Sequence, residues 1–148
     1  MLDRKLIGKV FPAHSAEVEK GRLRFFAKAI GETSPVYIDE AAARASGYHS
    51  LPVPPTFLFS LMIDPSDPLA WFLEVGIDIP SLLHGEQSFT YHQPVCAGDV
   101  VTFVSRVADI YDKKNGALEF MVRETRVTNQ NGQHVADLRS VFVQRNQA

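Results

Sequence analysis

The chain has a single cysteine, Cys96, so no disulfide can close within it, and this usage suits a reducing cytoplasm. It has no long run of one charge sign, and its net charge is only −2. Nothing therefore points to nucleic acid or a membrane surface as a partner. No apolar stretch reaches the roughly 20 residues that a spanning helix needs. The opening residues, Met1 to Lys9, lack the apolar core of a signal peptide, so a cytoplasmic setting is expected. Repeats, low-complexity tracts, a Gly-rich phosphate loop and a Ser-His-Asp arrangement are all missing. His14, His49, His92 and His134 stand isolated in sequence without metal-ligand spacing, so neither a metal nor a cofactor is expected. Cys96 has no evident activating partner and reads as buried rather than nucleophilic.

What is present is an ordinary globular balance, 45% hydrophobic and 22% charged, over 148 residues, which suits one domain spanning 1–148. Pro54 to Ile63 (P-P-T-F-L-F-S-L-M-I) is apolar on every side of a helix, and such a helix has to be buried. Pro55 suits its first helical position. A short buried strand is the rival, because periodicity does not separate the two. Upstream, Lys9 to Val18 reads as an irregular strand interrupted by Pro12. Leu23, Phe26, Ala27 and Ile30 then fall at helical spacing from Glu19, and Gly31 stops that helix. Asp39 reads as the N-cap of a second helix, Glu40 to Ser46, closed by Gly47. Asp64 to Pro68 breaks the apolar helix, and Leu69 to Val75 adds a turn or two.

The second half is strand-like: Ser81 to Pro94, Val100 to Asp112, Ala117 to Thr128 and His134 to Arg145. Asn115-Gly116 and Asn131-Gly132 separate the last three, and Asn-Gly is a strong hairpin signal because both central residues need positive φ. Gly98-Asp99 marks another turn. Helices followed by an antiparallel meander make the α+β pattern. Leu118, Phe120 and Val122 share one strand face while Val127 lies on the other, which predicts cover on both faces, by the helix and a second subunit, or an intervening bulge.

Several stretches together resemble one family. A helix ends in Gly31-Glu32-Thr33-Ser34-Pro35-Val36-Tyr37, D-E-A-A-A-R-A-S-G-Y follows, then P-P-T-F, then H-G-E-Q-S-F-T-Y-H-Q-P-V-C-A-G-D. This order over almost the whole chain resembles the MaoC-like acyl dehydratases, and among them the fatty-acid-synthase-type dehydratase branch. The resemblance implies a hot-dog fold, an antiparallel sheet wrapped around a central helix and dimeric through sheet pairing. It also implies a substrate carried as a thioester of coenzyme A or acyl carrier protein, interconverted between 3-hydroxyacyl and trans-2-enoyl forms.

Hydrating an enoyl thioester needs a base for water, an acid for the carbon beside the carbonyl, and donors for the enolate oxygen. Active members of the family carry a G-D-x-N-P-x-H turn for the first two. Here Glu32 stands for the aspartate, Ser34 for the asparagine and Tyr37 for the histidine. Glu32 keeps the carboxylate but moves it by roughly 1 Å, a displacement that can cost on the order of 100-fold. Tyr37 is the larger change, because a phenol titrates near pH ~10 and an imidazole near ~6.5. The turn also reads as a plain helix stop with Tyr37 packed and hydrogen-bonded. Pro54 and Pro55 stand where active relatives have a His-Gly pair that helps hold the thioester oxygen, and proline has no N–H to give.

The remaining candidates follow from the same motifs. Pro55, Thr56 and Phe57 open the helix that would wall the acyl tunnel, with Ser34 beside it. His84, with Glu86 two residues on and so on the same strand face, is a candidate imidazole–carboxylate pair, or a hydrogen-bonded histidine near a subunit interface. The resemblance leads to an (R)-specific enoyl-thioester hydratase or 3-hydroxyacyl dehydratase. Within it, this chain reads as the substrate-binding half of a heterodimer with a catalytic MaoC-type subunit. A self-sufficient homodimer using Glu32 with His84 or Tyr37, a hot-dog thioesterase using Glu32, and a non-enzymatic acyl-thioester-binding protein stay open.

Overall fold

The structure is a computed structural model describing residues 1–64 and 67–146. Four helices are α1 (Lys20–Ala29), α2 (Glu40–Ala45), α3 (Phe57–Met62) and α4 (Ala70–Glu74), and five strands are β1 (His14–Glu17), β2 (Leu82–Tyr91), β3 (Val100–Lys113), β4 (Leu118–Asn129) and β5 (His134–Arg145). The strands form one sheet in the order β1-β3-β4-β5-β2, with every neighbouring pair antiparallel. The expected α+β class and long strands are therefore present. β1 is shorter than the sequence suggests: Pro12 interrupts it, and only the isolated Val10–Arg106 bridge continues the pairing upstream.

The helices lie on one face of this sheet. Phe57, Leu58, Leu61 and Met62 of α3 are buried against Val101, Phe103, Val127, Ala136 and Leu138 of the strands. A second apolar cluster joins Phe72 of α4 to Val107, Ile110, Met121 and Phe142. α1 adds Leu23 and Ala27, whereas Ile30, expected on the same stripe, is exposed. α2 begins as its sequence indicates, Asp39 Oδ1 accepting from the Ala41 and Ala42 N–H groups at 2.7 and 3.3 Å.

Two details differ from the sequence-based expectation. First, α3 starts at Phe57, not Pro55. Pro54 precedes another proline and is kept out of the helical region, and Thr56 then adopts a left-handed φ of +78° before the first helical residue. Second, the two Asn-Gly turns are not alike. Lys114, Asn115 and Gly116 all have positive φ, but at the second turn only Gly132 does. There the Asn129 carboxamide oxygen holds the loop instead, accepting from the Asn131 and Gln133 N–H groups at 3.0 and 3.1 Å. The expected split of β4 holds: its helix-facing side carries Met121, Arg123, Thr125 and Val127, and Leu118, Phe120 and Val122 face away from the helices. The break expected over Asp64 to Pro68 includes Pro65 and Ser66, which lie outside the described residues.

Candidate active site

The turn after α1 is held by its own side chains. Glu32 Oε1 accepts the Ser34 N–H at 2.8 Å, and the Tyr37 N–H donates to the Ser34 carbonyl at 3.2 Å, closing the short 3-10 turn Pro35–Tyr37. One carboxylate oxygen of Glu32 thus shapes the loop. Tyr37 projects from that loop into a cavity of about 270 Å³ walled also by Tyr48, Pro55, Leu58, Tyr91 and His92. Glu32, Ser34 and Phe57 do not line it. Phe57 turns instead toward Phe26, the two ring centroids lying 4.9 Å apart.

Three phenols, Tyr37, Tyr48 and Tyr91, stand in the cavity wall. Burial, followed by the fields of Tyr48, Glu32 and Tyr91, pushes the Tyr37 hydroxyl above its ordinary range. At neutral pH it is a hydrogen-bond donor and not a base. Tyr91 is tied to the start of α3, its hydroxyl oxygen accepting the Thr56 N–H at 3.0 Å. That N–H sits one residue after the proline pair and is aimed by the left-handed Thr56 backbone, a conformation costly for a β-branched residue. The phenol uses a lone pair on Thr56, so its own O–H remains to donate. No motif marks Tyr48 or Tyr91 as a site residue in the sequence. Tyr91 carried a weak signal, sharing the helix-facing side of β2 with Phe89.

His84 and Glu86 are not a pair. The register of β2 against β5 shifts between them, so His84 lies opposite Phe142 on the helix-facing side and Glu86 opposite Val141 on the other. The bulge turns on Gly85, where an added Cβ would lie 2.9 Å from Val143 Cγ2. His84 Nε2–H instead donates to the Glu86 backbone carbonyl at 3.0 Å, and its ring stacks on Phe142. Glu86 faces Arg139, at 3.4 Å. Neither residue lines the tyrosine cavity.

Two histidines that look isolated in sequence meet in the fold. Asp137 bridges them, accepting from His92 Nε2 at 2.7 Å and from His134 Nε2 at 2.8 Å. Burial would raise the Asp137 carboxyl, but the hydrogen bonds and fields of both imidazoles outweigh it and leave the group below its ordinary range. These three side chains each offer a ligand atom, all within 4.8 Å of one another, close enough to be a candidate cation cluster. His92 belongs to both this cluster and the cavity wall. Cys96 is buried, and burial is the main cause that raises its thiol, the opposite of activation.

Comparison with known proteins places the fold and the family. The family model described as "FAS1-like, dehydratase domain region" matches residues 5–138. A UPF0336 protein of Saccharopolyspora erythraea is 34% identical over 148 residues, covering 99% of this chain and 94% of the relative. Among solved structures, a chain of the C-terminally truncated HadBC (3R-hydroxyacyl-ACP dehydratase) complex from Mycobacterium tuberculosis superposes with a TM-score of 0.80 at 26% identity, covering 93% of this chain and 96% of that one. A chain of the ChsH1-ChsH2 complex from the same organism gives 0.76 at 21% identity, covering 95% and 90%. The fold is the hot-dog fold, and the chain belongs to the FAS1-like dehydratase-region family of MaoC-like proteins.

Proposed function

We propose that this chain binds an acyl thioester of coenzyme A or acyl carrier protein in the tyrosine cavity, within an (R)-specific enoyl-thioester hydratase or 3-hydroxyacyl dehydratase. Its role there is to hold the substrate, and a MaoC-type partner chain supplies the groups that move protons. One observation supports this reading: Tyr37, at the turn position where the resemblance expects a histidine, lines the cavity with the phenols of Tyr48 and Tyr91. Tyr37 is a poorer acid than a free tyrosine, and Glu32 spends an oxygen on its own loop. Phenol O–H groups can still polarise a thioester carbonyl, which is a binding and orienting task. Likeness to a chain of the HadBC complex, described as a 3R-hydroxyacyl-ACP dehydratase, supports assembly with a second chain.

The test mixes the purified chain with a partner carrying an intact G-D-x-N-P-x-H turn and follows loss of crotonyl-coenzyme A absorbance. The partner's rate should rise when this chain is added, and Tyr37→Phe should reduce that gain. No gain at saturating chain would reject the proposal. A second reading, in which the chain works alone, is favoured by one observation: His92 is an imidazole in the cavity wall, oriented by Asp137 at 2.7 Å. Turnover by the chain alone that is lost in His92→Ala would select it.

A further inference from the structure

Among the described residues, Arg123 is a buried cation with no anion beside it. It lies on the helix-facing side of β4, 6% exposed, between the two apolar clusters. Its Nη2–H points at Met62 Sδ at 3.6 Å, and its Nε–H has no partner among the described residues. The guanidinium carbon lies 4.3 Å from the Trp71 ring centroid and 5.2 Å from that of Phe142. Among the described residues no acidic group stabilises it, and burial alone governs its ionisation. Aromatic faces offset part of the cost of burying a charge, but they do not satisfy N–H donors.

The side chain opens onto a cavity of about 340 Å³ at the C-terminal end of α3, away from the tyrosine cavity at the other end. Met62, Trp71, His14, Phe103, Ser105 and Arg123 line it. The wall is therefore apolar and aromatic, with a single buried charge. Its polar neighbours are already engaged. His14 Nε2–H donates to the Leu61 carbonyl at 2.8 Å, and the Ser105 and Thr125 hydroxyls bond each other at 2.8 Å. Two carboxylates also touch the cavity, and both are occupied away from Arg123. Glu74 pairs with Lys9 at 2.6 Å, and Asp67 accepts the Leu69 N–H at 3.2 Å.

From this arrangement we infer that the Arg123 cavity is a binding site for a small carboxylate with an apolar body. The carboxylate would fill the guanidinium's empty donor positions, a charge-assisted pairing that is strong where water is excluded. The body would lie along Met62, Phe103 and Trp71. A purely hydrocarbon occupant would leave the charge as it is, and a hydrated inorganic anion would leave the aromatic wall unfilled. The carboxylate has two possible sources, a free monocarboxylic acid or the far end of a dicarboxylic acyl thioester. The inference does not depend on the hydratase proposal, because it is tested by binding without turnover.

Trp71 is the only tryptophan in the chain, so its emission reports on this cavity directly. Octanoate titrated into the full-length protein should change that emission saturably, and octan-1-ol, of the same length without the charge, should bind at least about tenfold more weakly. Arg123→Met should weaken octanoate on the order of 10- to 100-fold, and Arg123→Lys should bind better than Arg123→Met. For the source, suberyl-coenzyme A displacing octanoate more effectively than octanoyl-coenzyme A assigns the carboxylate to an acyl chain end. Equal or no displacement assigns it to a free acid. No saturable response to octanoate, equal binding of octan-1-ol, or undiminished binding by Arg123→Met would overturn the inference. The comparison of octanoate with octan-1-ol is made on the native chain and stands even if a variant fails to fold.

Discussion

Replacing Arg123 by methionine should raise stability at neutral pH. Burial lowers the guanidinium from its ordinary value to about 10, so the unfolded chain holds that proton more tightly than the native one. The penalty is fully present below pH ~10, where both states are protonated, and fades as pH rises beyond it, where stability climbs because the unfolded state still binds the proton. At ~1.4 kcal/mol per unit it amounts to about 3 kcal/mol at pH 7. Against it stands the cation–π contact with Trp71 and Phe142, about 1–2 kcal/mol. Methionine keeps much of the packing, since a thioether also contacts aromatic rings favourably. The net gain is about 1–2 kcal/mol, or roughly 3–6 °C in Tm for a chain of this size. Urea unfolding and thermal melts at pH 7 without added carboxylate measure it. An Arg123→Met protein less stable than wild type by about 2 kcal/mol or more would refute the reasoning, because that loss is the signature of breaking a buried ion pair.

Two further outcomes follow from the strands. Gly85→Ala should cost about 1–3 kcal/mol in urea unfolding, since its Cβ would meet Val143 Cγ2 at 2.9 Å and the Val141 carbonyl oxygen at 3.3 Å; an unchanged midpoint would mean that the bulge at Gly85 relaxes freely. Asp137 has a lowered carboxyl pKa, so its bonds to His92 and His134 stabilise the fold above the ordinary carboxylate range, and this is lost as pH falls through the depressed value. Asp137→Asn should therefore flatten part of the acid unfolding curve, by no more than about 1 kcal/mol for a pair this exposed. Superimposable acid curves for the two proteins would contradict it.

Much of the fold was legible because its signals are local. Asn115-Gly116 and Asn131-Gly132 separate strands whose length and β-branched content are plain, and Asp39 caps α2 as an aspartate before a helical run should. The errors arose where a backbone detail shifts everything after it. A bulge at Gly85 sends Glu86 to the opposite face from His84, and no alternation pattern encodes that shift. Left-handed Thr56 delays α3, although threonine has no preference for that conformation. In the candidate cavity the turn motif points to Tyr37 alone, whereas Tyr48 and Tyr91 reach it from a loop and from β2. His92, His134 and Asp137 likewise meet only because β2 and β5 pair. Arg123 was missed for another reason. An arginine in a strand reads as solvent-facing, yet its spacing with Met121 and Val127 places it on the apolar side.

The central claim is that this chain holds an acyl thioester without moving its protons, and one measurement addresses it directly. Purified chain, without a partner, is given crotonyl-coenzyme A, and the loss of the conjugated thioester absorbance is followed for wild type and Glu32→Gln. Loss of a general acid–base group costs about 10²–10⁴-fold. The wild-type rate should accordingly be low by that order against an intact family member, and Glu32→Gln should change it little, while calorimetry still detects binding of the thioester. Rapid turnover by the chain alone that vanishes in Glu32→Gln would contradict the claim and make Glu32 the catalytic base.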